Sequence, residues 1–287
     1  AAAGKDVTFI ARGAHLAAMR RQGLQVQSVH GDFRLEPVKA TDDPAEVGPV
    51  DLVVVAVKTY DLEAAAKAAM PLLGPDTVVL PLLNGLDSAE RLAAVLGGDA
   101  ILGGMTHISS GVPAPGVIRQ VSPVRRITCG ERDGTHSARA EQVRDVLAGA
   151  GADVALTTHI DVTLWEKFLF IASIGGICCL ARKPMDVVLA TAETRQLYIE
   201  ALSEIDTLAR ARGVSLPADA TDRALQVTAG FAPGTKPSML ADLEAGRRLE
   251  LEAMSGTAVR YGRETGIATP VHWAVYGALK PSAGGAG

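Results

Sequence analysis

Three polar residues stand where three apolar runs stop. Val7-Thr-Phe-Ile-Ala11 gives way to Arg12, Asp51-Leu-Val-Val-Val-Ala-Val57 to Lys58, and Thr77-Val-Val-Leu-Pro-Leu-Leu83 to Asn84-Gly85. In an open parallel sheet, ligands bind beyond the carboxyl ends of the strands, so one position used three times points to ligand contact. Arg12 is the sharpest case. At the end of the second strand of a dinucleotide fold, a carboxylate takes the ribose hydroxyls of NAD, whereas a guanidinium suits a 2′-phosphate and so favours NADP. A solvated arginine is the competing account. Lys58 reads either as a contact to a cofactor or substrate anion or as a snorkelling surface lysine. Asn84-Gly85 reads either as a cofactor or substrate contact or as a plain turn.

Other chemistry-bearing residues are less distinctive by themselves. Lys167 lies in Trp165-Glu166-Lys167 at the mouth of the apolar run 168–181, though a Glu-Lys pair on a helix usually marks a solvated face. Glu250 sits in Arg247-Arg248-Leu249-Glu250 and reads alone as surface charge. His107 follows a strand and is read as structural or near a cofactor; His272 and Trp273 are read as packing. Cys129, Cys178 and Cys179 are odd in number and have no zinc-site spacing, so buried reduced thiols in a cytoplasmic protein are expected and no metal is.

The elements that must position these residues change character midway. Continuous apolar strands at 7–12, 51–57, 77–83 and 100–108 alternate with helices at 14–22, 61–70 and 87–96, as in a doubly wound α/β domain. Asp61 and Asp87 are expected to cap their helices. Antiparallel strands within 116–131, a helix at 136–149 and a strand at 152–157 close this domain. Beyond about residue 160 the period becomes helical, with helices at 161–180, 192–212, 217–228, 238–265 and 270–279. Ser238 is placed as an N-cap, and 284–287 as a tail. The expected domains are 1–158 and 159–287. Apolar residues make up 48% of the 287, enough for two cores, and a net charge of −4 argues against nucleic-acid binding. The apolar run 168–181 is too short to span a bilayer, so no membrane partner is expected.

No G-x-G-x-x-G occurs. That loop cradles the pyrophosphate between the first strand and first helix of a dinucleotide domain. The expectation is that 7–12 is the second strand and that roughly 20 to 25 residues of a βαβ unit precede this chain, which begins without Met. Weak NADPH binding and low activity are then expected of the polypeptide as it stands.

The ordered motifs Phe9-Ile-Ala-Arg-Gly13, Val55-Ala-Val-Lys-Thr59, Leu83-Asn-Gly85, Leu164-Trp-Glu-Lys167 and Lys236-Pro-Ser-Met-Leu240 resemble ketopantoate (2-dehydropantoate) reductases over essentially the whole chain. The resemblance implies a Rossmann-like α/β domain, here without its first strand and glycine loop, followed by an all-α domain. It also implies NADPH reduction of a 2-oxo acid to a 2-hydroxy acid in pantothenate biosynthesis. Lys167 matches the family's catalytic lysine, Glu250 the acid that meets the substrate hydroxyl, and Ser238 a serine near the substrate carboxylate. Arg12, Lys58 and Asn84 match cofactor-side positions, the last two close to the reacting end. Where the well-studied ketopantoate enzymes have asparagines on the lysine's helical face, this chain has Ile171 and Gly175, which puts 2-dehydropantoate specificity in question and favours a bulkier or more apolar 2-oxo acid. The alternatives are another two-domain reductase, of 3-hydroxyacid dehydrogenase or imine reductase type, and a non-catalytic dinucleotide-sensing protein. The helices at 161–180 and 238–265 offer a face for a homodimer.

Overall fold

Strand β6 (Val78–Pro81) is buried at every position, and its neighbours explain why. It pairs in parallel with β5 (Leu52–Val55). Val79 packs with Val53, Val55, Leu62, Leu92 and Ile101 in one core, while Val78 and Leu80 pack with Leu102, Cys129, Ala140 and Val143 in another. Successive side chains of a strand point to opposite faces, so a strand covered on both sides must be apolar throughout. The structure is a computed structural model describing residues 1–285; Ala286 and Gly287, within the expected tail, lie outside the described residues.

The chain divides into two compact units. The first holds Ala1–Val57, Asp61–Leu83 and Ala89–Ile160; the second holds Lys58–Tyr60, Asn84–Ser88 and the chain from Asp161 on. The first unit is α/β. Its further elements are β1 (Thr8–Ile10), α1 (Gly13–Gln22), β2 (Leu24–Ser28), β3 (Phe33–Leu35), β4 (Lys39–Thr41), α2 (Leu62–Ala69), α3 (Ser88–Leu96, its first residue aside), β7 (Gly103–Ala114), β8 (Val117–Gly130), α4 (Ala138–Gly149) and β9 (Asp153–Leu156). β1 pairs in parallel with β4, in a sheet separate from β5–β6. Ile10, Val54 and Val57 remain exposed on these strands and just beyond. The third sheet has the order β3-β2-β8-β7, with β9 alongside β8.

The expected parallel strand over 100–108 is corrected. Only Ile101 bridges in parallel to Val79, and from Gly103 the chain runs on as an arm antiparallel to β8. Gly103 and Gly104 permit the close approach there: a Cβ on Gly103 would stand 2.8 Å from Ile160, and one on Gly104 2.5 Å from Leu80. Strands β2 to β4 carried no sequence signal because they are short and polar, with only Leu24 and Thr41 buried among them.

The second unit is all helical: α5 (Ile160–Ala181, its first residue aside), α6 (Met185–Ala190), α7 (Ala192–Ala211), α8 (Ala220–Ala229), α9 (Ser238–Glu244), α10 (Thr257–Thr265) and α11 (Pro270–Leu279). Helix α5 is apolar all round, the mark of a helix enclosed by others. Phe168, Leu169, Ala172, Ile174, Ile177, Cys178 and Cys179 form the centre of the helical core. At 22 residues it is longer than its uncharged run and long and apolar enough to cross a membrane, yet most of it is buried within the protein.

The expected continuous helix over 238–265 is also corrected. It stops at Glu244, Gly246 turns the chain at φ +63°, residues 247–250 are irregular, and a wide helical turn over Glu252–Gly256 leads into α10. Ser238 is the first residue of α9 rather than its cap; Pro237 occupies the cap, and no capping side-chain bond forms. Asp61 likewise makes no capping bond. Gly266 ends α10 in the left-handed conformation that glycine favours. All three cysteines are free and buried. Burial pushes the Cys129 thiol up to about 11 and those of Cys178 and Cys179 to about 12.

Candidate functional site

The break after α9 places Glu250. Leu249 and Leu251 on either side of it are core residues, and the carboxylate between them is itself only 7% exposed. This corrects its reading as surface charge: a charged run on a continuous helix is solvated, whereas this run lies in an irregular segment clamped by two leucines.

Three groups from two short segments meet the Glu250 carboxylate. The Thr59 backbone N–H donates to Oε1 at 3.0 Å, and Lys58 Nζ and Asn84 Nδ2 each donate to Oε2 at 3.4 Å. Lys58 Nζ also donates to Asp242 Oδ2 at 2.8 Å, and Asp242 Oδ1 accepts from Arg247 Nε at 2.7 Å. Two carboxylates and two cations therefore alternate along Arg247, Asp242, Lys58 and Glu250, and every neighbouring charge is of opposite sign. Burial draws the Lys58 pKa down, but the Asp242 hydrogen bond and the charges of Glu250 and Asp242 outweigh it, so the value stands above the usual lysine range.

The two short segments are fastened to the helical unit independently of Glu250. Arg260 donates to Asp87 Oδ2 at 2.9 Å, and the Arg248 guanidinium lies 4.2 Å from the centre of the Tyr60 ring. Gly85 turns at φ +90°, and a Cβ there would come within 3.3 Å of the Ala253 carbonyl oxygen. The Asn-Gly pair thus turns the chain and also leaves the Asn84 side chain on Glu250.

Lys167 belongs to the same unit, on α5, between Trp165 and Phe168 in sequence, both of them buried. Burial pulls its pKa down to about 8, and the negative charge of Glu250 acts in the opposite sense. A lysine so placed carries a proton it can release near neutrality. Ile171 and Gly175 follow on the same helical face; Ile171 is partly buried against the helical core and Gly175 is buried. Ser238 is exposed on the first turn of α9. Arg12 is an exposed residue of the α/β unit, between β1 and α1, with Gly13 after it at φ +55°.

The structure thus brings Lys58, Asn84, Glu250 and Lys167 into one electrostatic neighbourhood. Asp242 and the Thr59 amide belong to it too, and sequence reasoning missed both. Asp242 read only as an acid near the positive end of a helix, and a backbone amide leaves no signature in sequence. His107 is exposed on β7 opposite Arg126. His272 is buried, within 3.3 Å of Ser255 Oγ and of the Ala201 carbonyl oxygen, and burial depresses its pKa to about 4. Trp273, expected in packing, is half exposed beside Tyr276. Among the described residues no group of three or more His, Cys, Asp or Glu side chains could hold a metal ion.

The family described as "Ketopantoate reductase PanE/ApbA" matches residues 1–134, and its "C terminal" counterpart matches residues 159–283. The chain is 33% identical over 260 residues to a 2-dehydropantoate 2-reductase of Halobacterium salinarum, covering 90% of this chain and 84% of that protein. It is 29% identical over 277 residues to the uncharacterized oxidoreductase YkpB of Bacillus subtilis, covering 96% and 91%. A crystal structure of a 2-dehydropantoate 2-reductase from Geobacter metallireducens superposes with a TM-score of 0.92 at 32% identity, over 98% of this chain and 93% of that one.

Proposed function

The chain belongs to the ketopantoate reductase family of oxidoreductases, and from that premise we propose that it reduces a 2-oxo acid, 2-dehydropantoate or a relative, to the 2-hydroxy acid with NADPH. The observation that carries this reading is the pairing of a half-buried lysine of lowered pKa with a buried carboxylate in the same unit. Hydride arriving at a ketone carbon leaves negative charge on its oxygen, and an ammonium beside that oxygen both stabilises the charge and supplies the proton.

Each residue then has a task. Lys167 donates its proton to the developing alkoxide and recovers it from solvent. Glu250 keeps Lys167 charged at neutral pH and accepts the hydrogen bond of the substrate's hydroxyl. Lys58, Asn84 and the Thr59 amide hold the carboxylate, and Asp242 with Arg247 holds Lys58. Ser238 meets the substrate carboxylate. The reduced nicotinamide, when bound, supplies the hydride. The residue that fits the cofactor's distinguishing 2′-phosphate is Arg12, whose exposed guanidinium stands at the carboxyl end of a parallel strand. Residues 1–158 are assigned to the cofactor, 159–287 to substrate and proton transfer, in a cytoplasmic enzyme.

The test is 2-oxo-acid-dependent loss of NADPH absorbance by the protein, with Lys167→Met beside it. Turnover that the variant lowers by orders of magnitude is expected. NADPH binding with no turnover on any 2-oxo acid would replace the enzyme by a dinucleotide-binding protein.

A further inference from the structure

His272 is a polar side chain at a place where packing alone would be met by an apolar one. It is 1% exposed, and Val271 and Val275 of α11, with Ala201, Leu202 and Ile205 of α7, are all core residues. Both ring nitrogens and the backbone N–H of His272 are nonetheless engaged. That N–H donates to Glu204 Oε2 at 3.0 Å and the Val271 N–H to Glu204 Oε1 at 2.7 Å, so one buried carboxylate of α7 caps the first turn of α11. The ring lies 3.3 Å from the Ala201 carbonyl oxygen through Nε2 and 3.3 Å from Ser255 Oγ through Nδ1. A carbonyl only accepts, and burial keeps the ring neutral, with a pKa of about 4. The ring proton is therefore on Nε2, and Nδ1 accepts from the Ser255 hydroxyl.

Ser255 is fully buried in the wide turn Glu252–Gly256. That turn is bonded directly to Glu250: the Met254 N–H donates to the Glu250 carbonyl at 3.2 Å and to that of Leu251 at 3.3 Å. Met254 is non-helical, at φ −102° and ψ −106°, so regular helix bonding is interrupted there and the turn depends on holds from outside. Helix α11 supplies two of them one turn apart. His272 takes Ser255, and the Tyr276 hydroxyl donates to Glu252 Oε1 at 3.0 Å.

We propose that His272 and Ser255 are positioning residues for proton transfer: they pin the wide turn to α7 and α11 and so hold the Glu250 carboxylate within electrostatic reach of Lys167. This rests on the reading above, in which Glu250 keeps Lys167 charged. The Thr59 amide, Lys58 and Asn84 hold the carboxylate end of Glu250, and the turn holds its backbone end. Leucine at 272 with alanine at 255 would fill much of the same space, but only a directional hydrogen bond selects one setting of the turn.

The test is the titration of Lys167 by 13C NMR of protein labelled at lysine Cε, its resonance identified by absence from Lys167→Met. Ser255→Ala and His272→Leu should each move the midpoint from about 8 to lower pH by about half a pH unit or more, in the direction of Glu250→Gln and no further than that variant moves it. The alkaline limb of kcat/KM should move with it. Tyr198→Phe is the control. It removes another buried hydrogen bond of α7, 2.7 Å long, to Thr228 Oγ1, and should lower the urea midpoint while leaving the Lys167 titration in place. A titration unmoved in Ser255→Ala and His272→Leu, or moved equally by Tyr198→Phe, overturns the inference and leaves the reductase intact. Ser255→Ala removes a single oxygen and decides the matter if His272→Leu fails to fold. A titration that moves as expected in a protein that turns over no 2-oxo acid sustains the positioning of Glu250 and overturns the reductase reading instead.

Discussion

Lys167 and Glu250 make separate, measurable demands on the pH profile. If Lys167 is the proton donor, only its ammonium form serves, and its pKa stands near 8. The expected kcat/KM is then level below that pH and falls as pH rises through about 8. Lys167→Met should lower kcat by about 10² to 10⁴, the usual worth of a general acid. Glu250→Gln removes the charge that opposes burial, so the lysine loses its proton more readily and the alkaline limb moves to lower pH. A limb that stays in place in that variant would separate Glu250 from Lys167 functionally. How much of this neighbourhood could be read beforehand depended on the residue. Lys58 and Asn84 stand at the ends of apolar strands, a position visible in one dimension. Glu250 and Lys167 stood out only through resemblance, because Glu-Lys and Arg-Arg-x-Glu look like solvated helix. Asp242 was invisible as a partner of Lys58, since 184 residues separate them.

Two glycines test how elements hold these groups, and they should respond in opposite directions to the same substitution. Gly85→Ala forces an alanine to φ +90° against the Ala253 carbonyl and should destabilise the fold by about 1–2 kcal/mol. Gly175→Ala sits in ordinary helix, where a Cβ meets only Met239 at 3.7 Å, and should stabilise it by about 0.5–1 kcal/mol. Urea titration of the two variants checks both signs. Helix α5 was readable because an apolar run closed by Lys167 and Arg182 has one sensible home, a helical core. The break between α9 and α10 was not, because Leu240, Leu243, Leu251 and Met254 keep a helical rhythm on both sides while Gly246 reads as a tolerated glycine. That break is what takes Glu250 off a solvated helix, so the least readable element is the one on which the candidate site depends.

At the level of the whole chain, the change from strand–helix alternation to purely helical spacing announced an α/β unit followed by an all-α one, and each has a core of its own. Less readable was the exchange of short pieces: 58–60 and 84–88 lie within the α/β sequence yet belong to the helical unit, because their contacts are with residues 242–260. Both tryptophans, Trp165 and Trp273, are in the helical unit. Their fluorescence therefore follows that unit alone, while far-UV circular dichroism follows both. Different denaturant midpoints by the two probes are expected, and coincident midpoints would mean that the units unfold together. The cysteines offer a finer record. One buried thiol lies in an α/β core and an adjacent pair in the helical core, all with pKa values far above neutrality. A thiol reagent attacks thiolates and must wait for a unit to open. Each molecule so labelled carries a stamp of what opened: one adduct marks the α/β unit, two mark the helical unit, and three mark both. A mass spectrum taken over time would thus serve as a pair of clocks running inside the same polypeptide.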